Sequence, residues 1–321
     1  RRRALEMQMN GVSHQGDRQG ASEIRRRRPH ARIGFFLHIP FPSFEVFRVL
    51  PWREELLTGL LGADLIGFHT YEYCRHFLSS LRRILGIENS LGQFTFEGRV
   101  IRADVFPMGI DARRFAGRRM SAQEKKEEAL IHRKIKNHKM ILSVDRLDYT
   151  KGIPQRLLAF DRFLEKYPEY RGKVQLVLVE VPSRTGVDSY KKLKRSVDEL
   201  IGRINGKYGT LEWMPVWYLY RAQPEAVLKV MYRAAQVALV TPLRDGMNLV
   251  AKEYVCSSEK GRGVLILSET AGASREMSEA LLVNAFNLDQ VADAIKTALE
   301  MPLDEQKRRL ERMLWRIRRY D

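Results

Sequence analysis

Residues 241–254 read TPLRDGMNLVAKEY. This stretch puts Asp245, Gly246 and Asn248 between an apolar run, QVALV, and a segment with helical spacing. Gly246 permits close approach of backbone to a ligand. A helix beginning near Asn248 or Leu249 would aim free N–H groups and the positive end of its dipole at an anion. Asp245 cannot hold a phosphate, but a carboxylate accepts hydrogen bonds from sugar hydroxyls. Glu253 lies one helical turn beyond Leu249, within reach of a ribose. A carboxylate for a sugar, a helix end for a phosphate and a second carboxylate for a ribose suit a nucleotide sugar. The structural alternative is a tight strand–helix turn with Asp245 as a cap; the whole run DGMNLVAKE favours function.

Other candidates also follow apolar runs. After MILSV comes DRLDYTKGI, with Arg146, Asp148, Lys151 and Gly152. Arg146 and Lys151 could straddle a diphosphate, one as a planar fork and the other as a mobile point charge, or could be ordinary surface charges. After VQLVLVEV, Arg184 stands beside Gly186, as a phosphate clamp or as half of a surface ion pair. His38 follows IGFFL and precedes Pro40 and Pro42; substrate contact and a satisfied structural role both fit it. His69, in GFHTY, reads as structural. The chain has no HExxH, GxSxG or Walker A pattern, and its two cysteines, Cys74 and Cys256, show no metal-ligand spacing.

These residues need strands ending just before them. Ile33–Ile39, closed by prolines, reads as a buried strand, and ADLIGFHT and GRVIRADVFPMGID as two more. EVFRVLPWREELLTGLLG and YEYCRHFLSSLRRILGI have helical spacing and fall between them. A polar helical stretch over 111–138 looks like a lobe boundary. KMILSVDRL, KVQLVLVEVP, LEWMPVWYL, AQVALVTP and GVLILSE then alternate with helical segments, the last of them capped by Asn287. The expected fold class is α/β, with parallel, doubly wound sheets whose ligands bind at the carboxyl ends of strands.

Composition sets the outer limits. The chain has 321 residues, 44% of them hydrophobic, and a formal charge of +17, which favours anionic partners in general. Residues 1–28 hold eight arginines and three acids with almost no apolar periodicity, and read as a disordered basic tail. The Arg25–Arg28 run is a solvated arm or a nucleic-acid patch. The basic runs lie near the chain ends without an aromatic-plus-basic stacking motif, so no nucleic-acid partner is expected. No apolar run reaches membrane-spanning length and no secretory signal is evident, so no membrane association and a cytoplasmic location are expected.

The segments IGFFLHIPFPSFEVFRVLPWREELL, DLIGFHTYEYCRHFL, SVDRLDYTKGIPQRL, GRINGKYGTLEWMPVWYLYR, ALVTPLRDGMNLVAKEYV and GVLILSETAGA resemble trehalose-6-phosphate synthases, which are retaining glucosyltransferases. PQRLLAFDRFLEKYPEYRGKVQL further resembles the synthase part of bifunctional synthase/phosphatase chains. The resemblance runs from about Arg32 to the end. It implies a glycosyltransferase-B fold of two Rossmann-like lobes with the active site in the cleft. It implies transfer of glucose from UDP-glucose to glucose 6-phosphate, without a metal or other cofactor, giving trehalose 6-phosphate and UDP. By the same resemblance Arg146 and Lys151 hold the diphosphate. Asp245, with the backbone of Gly246, Met247 and Asn248, binds glucose hydroxyls. Leu249 and Val250 begin the nucleotide-binding helix, and Glu253 holds the ribose. His38 contacts the donor sugar, and Arg184 the phosphate of glucose 6-phosphate. A homo-oligomer is compatible with this family.

The family's first lobe begins with a Gly-rich loop and further acceptor contacts that have no counterpart here. The expected organisation is a tail over 1–28, a partial first lobe on the acceptor side over 29–115, and a donor-binding lobe over 116–321. Two alternatives stay open: an inactive or regulatory synthase-like chain, and a related retaining transferase such as a glucosylglycerol-phosphate synthase.

Overall fold

A computed structural model describes residues 20–116, 120–135, 138–184, 186–258 and 261–320. The chain divides into two compact units, Arg1–Met108 and Gly109–Asp321.

The first unit contains α1 (Gly20–Arg27), β1 (Gly34–Leu37), α2 (Phe44–Phe47), α3 (Arg53–Leu60), β2 (Leu65–Phe68), α4 (Tyr71–Leu85), β3 (Gln93–Phe96) and β4 (Arg99–Val105). Its sheet has the order β1-β2-β4-β3, parallel except for the β3–β4 hairpin. The hairpin turns on Glu97 and Gly98, both at positive φ (48° and 72°), the twist that closes a two-residue loop. The helical run expected over 45–62 is two helices, because Pro51 removes a backbone donor between them. Thr70 caps α4, and Gly86 ends it at φ 69°. Phe35, Leu57, Ile66, Phe68, Phe77, Leu81 and Ile101 form the core.

The expectation of a disordered tail over 1–28 fails for 20–27; residues 1–19 lie outside the described residues. Helix α1 is held by its own chemistry. Arg25 reaches Asp64 Oδ1 at 2.6 Å and also donates to the Gly62 and Ala31 carbonyls. Asp64 Oδ2 in turn accepts the Ile33 N–H. Gly62 is required there, since a Cβ would sit 2.2 Å from the Ser22 nitrogen.

The second unit contains α5 (Ala112–Phe115), α6 (Ala122–Ile135), β5 (Lys139–Arg146), α7 (Ile153–Lys166), β6 (Val174–Val181), α8 (Asp188–Tyr208), β7 (Val216–Leu219), α9 (Glu225–Ala234), β8 (Val237–Val240), α10 (Leu249–Ser257), β9 (Val264–Ser268), β10 (Leu281–Val283), α11 (Leu288–Glu300) and α12 (Leu303–Tyr320). Its sheet is parallel throughout, in the order β10-β9-β8-β5-β6-β7. The near-continuous apolar runs follow from burial on both faces. Along β5, Met140, Leu142 and Val144 join one core while Ile141 joins the other. Asn287 caps α11 as expected, accepting the Gln290 N–H. Ile110, Ala112 and Phe115 pack on the core of this unit, and so it begins at Gly109 rather than near residue 116.

Among the described residues, no helix is long and apolar enough to cross a membrane.

Candidate active site

In the second unit the strand order reverses direction about β5 and β8. β5 leads to β6 on one side, and β8 leads to β9 on the other. In doubly wound sheets a crevice opens at the carboxyl ends of such a pair. Both principal motifs lie at these ends. Arg146 is the last residue of β5 and is exposed; a 3-10 turn, Tyr149–Lys151, follows it. Asp148 caps that turn, its Oδ1 accepting the Thr150 N–H (2.9 Å) and hydroxyl (2.8 Å). Gly152 at φ 65° sends the chain into α7, and any side chain there would meet the Thr241 carbonyl at 2.7 Å. The Leu243 N–H donates to the Thr150 carbonyl at 2.8 Å, so the two loops are joined through their backbones.

The loops also meet through side chains. Lys151 Nζ donates to Asp245 Oδ2 at 2.5 Å, and Asn248 Nδ2 donates to the same oxygen at 3.1 Å. The Lys151 and Asp245 side chains are 16% and 14% exposed, enough to face a ligand and little enough to feel a low dielectric. Burial alone would lower the Lys151 pKa; the Asp245 and Asp145 carboxylates outweigh it and hold the ammonium above its ordinary value.

Asn248 ends the loop in a left-handed conformation, φ 83°, and caps α10 by accepting the Ala251 N–H at 3.1 Å. A non-glycine residue held there marks a position fixed by its surroundings. Helix geometry leaves the Leu249 and Val250 N–H groups without partners inside α10, pointing out of its first turn. Gly246 and Met247 are buried behind Asp245. The Asp245 and Met247 carbonyls accept the Gly272 and Ala273 N–H groups at 3.0 and 2.7 Å. A Cβ on Gly272 would lie 1.9 Å from the Gly246 carbonyl oxygen, so the glycine lets the loop hook onto its neighbour. Glu253, one turn into α10, accepts the Tyr232 hydroxyl at 2.8 Å. Burial raises its pKa, and that hydroxyl partly opposes the rise.

Arg184 is exposed on the loop after β6 with φ 45°. Its guanidinium lies over the Tyr190 ring, 5.8 Å from the centroid. The Tyr190 hydroxyl donates to Asp148 Oδ2 at 2.9 Å, linking the Arg184 loop to the turn that carries Lys151. His38 belongs to the first unit. It follows β1 half-buried, with its ring 4.8 Å from Phe36 and 5.6 Å from the buried His69.

The structure thus joins Lys151, Asp245 and Asn248 directly, sets Arg146 and Glu253 on the same strand end and helix start, and connects Arg184 through Tyr190. Three further residues were not singled out by motif. Arg156 is wholly buried and paired with Asp145 at 2.7 Å. Glu180, opposite Asp145 in the β5–β6 register, is wholly buried and accepts the Tyr218 hydroxyl at 3.0 Å. Gly272 is the third. Arg156 and Glu180 each left a signal, a charge among the apolar positions of QRLLAF and of VQLVLVEV. Among the described residues, no group of three or more His, Cys, Asp or Glu side chains is placed to hold a metal ion.

Known proteins resemble this arrangement over most of the chain. A bifunctional trehalose-6-phosphate synthase/phosphatase of Thermoproteus tenax is 50% identical over 303 residues, 94% of this chain and 42% of that protein. A UDP-forming trehalose-phosphate synthase of Burkholderia xenovorans, solved in complex with glucose-6-phosphate, superposes with a TM-score of 0.89 at 36% identity, covering 95% of this chain and 69% of its own. An E. coli structure bound with UDP-2-fluoro glucose gives 0.88 at 41% identity, covering 95% and 68%. This chain therefore spans about two-fifths of the Thermoproteus relative. The two α/β sheets, one parallel and one parallel but for its edge hairpin, are those of the glycosyltransferase-B fold shared with these structures. A model of glycosyltransferase family 20 matches residues 21–321, and the chain belongs to that family.

Proposed function

We propose that this chain transfers glucose from UDP-glucose to glucose 6-phosphate, with retention of configuration, to give trehalose 6-phosphate and UDP. The observation that carries the reading is the Lys151–Asp245–Asn248 junction. It joins a cation, a carboxylate and a helix N-terminus at the carboxyl ends of adjacent strands. That set offers one group to each part of a nucleoside diphosphate sugar. The names of the relatives agree with it, since the Burkholderia synthase was solved with glucose-6-phosphate and the E. coli structure with UDP-2-fluoro glucose.

In this reading Arg146 and Lys151 bind the diphosphate. Lys151 has three N–H directions and can keep one on Asp245 while offering another to phosphate. Asp245 and the backbone of Gly246, Met247 and Asn248 orient the glucose hydroxyls. The α10 start at Leu249 and Val250 faces the nucleotide, and Glu253 the ribose. Arg184 takes the phosphate of the acceptor. The acceptor hydroxyl attacks C1 on the face from which UDP departs. The bond from C1 to the phosphate oxygen breaks as the bond to the acceptor oxygen forms, and the acceptor proton passes to the departing phosphate. Charge grows on that phosphate, where two preorganised cations are worth most.

The reading is tested by incubating the protein with UDP-glucose labelled with carbon-13 at C1, plus glucose 6-phosphate, and following the anomeric carbon by NMR. An α-linked disaccharide phosphate is expected. A β-linked product, or label ending only in free glucose, would count against it.

A further inference from the structure

Arg156 lies in α7 among the buried residues Ile153, Leu157 and Phe160, and its side chain is wholly shielded from solvent. A guanidinium does not shed its charge, so it is tolerated there only when its donors are used. Nε donates to Thr241 Oγ1 at 3.0 Å, where β8 opens into the loop that carries Asp245. Nη1 donates to Asp145 Oδ2 at 2.7 Å and to Ser143 Oγ, both on β5. Nη2 donates to the Lys151 carbonyl at 3.0 Å. One planar group thereby ties together the strand before Lys151, the backbone of Lys151 itself and the neighbouring strand that leads to its partner.

We propose that Arg156 is a positioning residue for Lys151, fixing where the ammonium group meets a nucleoside diphosphate. The proposal rests on the donor reading given above. Two effects carry it. The bond to the Lys151 carbonyl sets the backbone from which the side chain departs. The charge of Arg156 also answers Asp145, which otherwise competes with Asp245 for the same ammonium.

The test is a double-mutant cycle on UDP affinity, measured by calorimetry on wild type, Arg156→Lys, Lys151→Ala and the double variant, with thermal melts of each. Arg156→Lys keeps the charge and loses the fork. It is expected to weaken UDP binding about tenfold while melting cooperatively. In the Lys151→Ala background the same change is expected to cost less than about twofold, because its effect runs through Lys151. A purely structural role would lower the melting temperature and leave affinity unchanged, or give equal losses in both backgrounds; either result overturns the proposal. If Arg156→Lys does not melt cooperatively, Thr241→Val takes its place in the cycle, removing one anchor and no charge. Failure of the wild type to bind UDP would overturn the donor reading and the proposal with it. Wild-type binding with an additive cycle would overturn the proposal alone.

Discussion

Lys151 Nζ and Asp245 Oδ2 stand 2.5 Å apart although 94 residues separate them in sequence. Two loops from adjacent strands are needed to bring them together, and the backbone bond from Leu243 to Thr150 holds those loops in register. A cation held by a carboxylate in this way is already oriented before a diphosphate arrives. Preorganisation of that kind is the main way a site lowers a barrier when charge develops on a leaving group.

Replacing Lys151 by Ala removes that cation and leaves Asp245 with Asn248. Turnover is expected to fall by about 10²–10³-fold, the usual cost of one preorganised electrostatic contact. Steady-state kinetics at saturating UDP-glucose checks this.

Gly272→Ala places a Cβ where the Gly246 carbonyl oxygen now lies, 1.9 Å away. The loop over 245–248 must move or the 3-10 turn that begins at Gly272 must yield. Overpacking of this sort costs roughly 1–3 kcal/mol. The expected result is a folded protein with a lower melting temperature and weakened UDP-glucose binding. Unchanged binding would show that the hook between the two loops does not set the site.

Tyr190→Phe deletes the hydroxyl that links Asp148 to the Arg184 loop. Asp148 keeps both Thr150 bonds, so the Lys151 turn is expected to survive. The KM for glucose 6-phosphate is expected to rise about fivefold, the value of one hydrogen bond. Arg184→Ala should raise it further. An unchanged acceptor KM in both variants would place the acceptor phosphate elsewhere.

Glu180 gives a pH prediction. Burial raises its carboxyl from the ordinary 4.5 to about 7, against the pull of the Tyr218 hydroxyl and Arg156. Between these values the folded protein keeps a proton that the unfolded chain has released, so stability falls as pH rises through the window. Below the lower value the contribution is fully present, and above the upper one it is lost. Its size is about 3 kcal/mol, at about 1.4 kcal/mol per pKa unit. Glu180→Gln removes this slope. Denaturant melts at pH 5 and pH 8 should show the variant gaining on wild type at the higher pH. An equal difference at both would contradict the assignment.

Much of this molecule could be read from residue order, for definite reasons. Strands β5, β6, β8 and β9 are buried on both faces and appear as near-continuous apolar runs rather than as alternating ones. The candidate residues Arg146, Lys151, Arg184 and Asp245 follow those runs closely, so position alone singles them out. Strands β3 and β10 could not be read in this way: β3 rests on four residues and a Glu-Gly turn, and β10 on three. Helix α1 was hidden because its order comes from Arg25 reaching Asp64, a contact between distant residues that local composition cannot register. Arg156 stands out in the sequence as a charge among apolar positions, but what it holds does not. Its partners lie on β5, in the following turn and on β8, and only folding brings them to one guanidinium.

The most direct test of the central claim is UDP release from UDP-glucose, with and without glucose 6-phosphate, for wild type and Lys151→Ala side by side. Release that requires glucose 6-phosphate and collapses in the variant is the predicted result. Release that ignores the acceptor, or that Lys151→Ala retains in full, would contradict it.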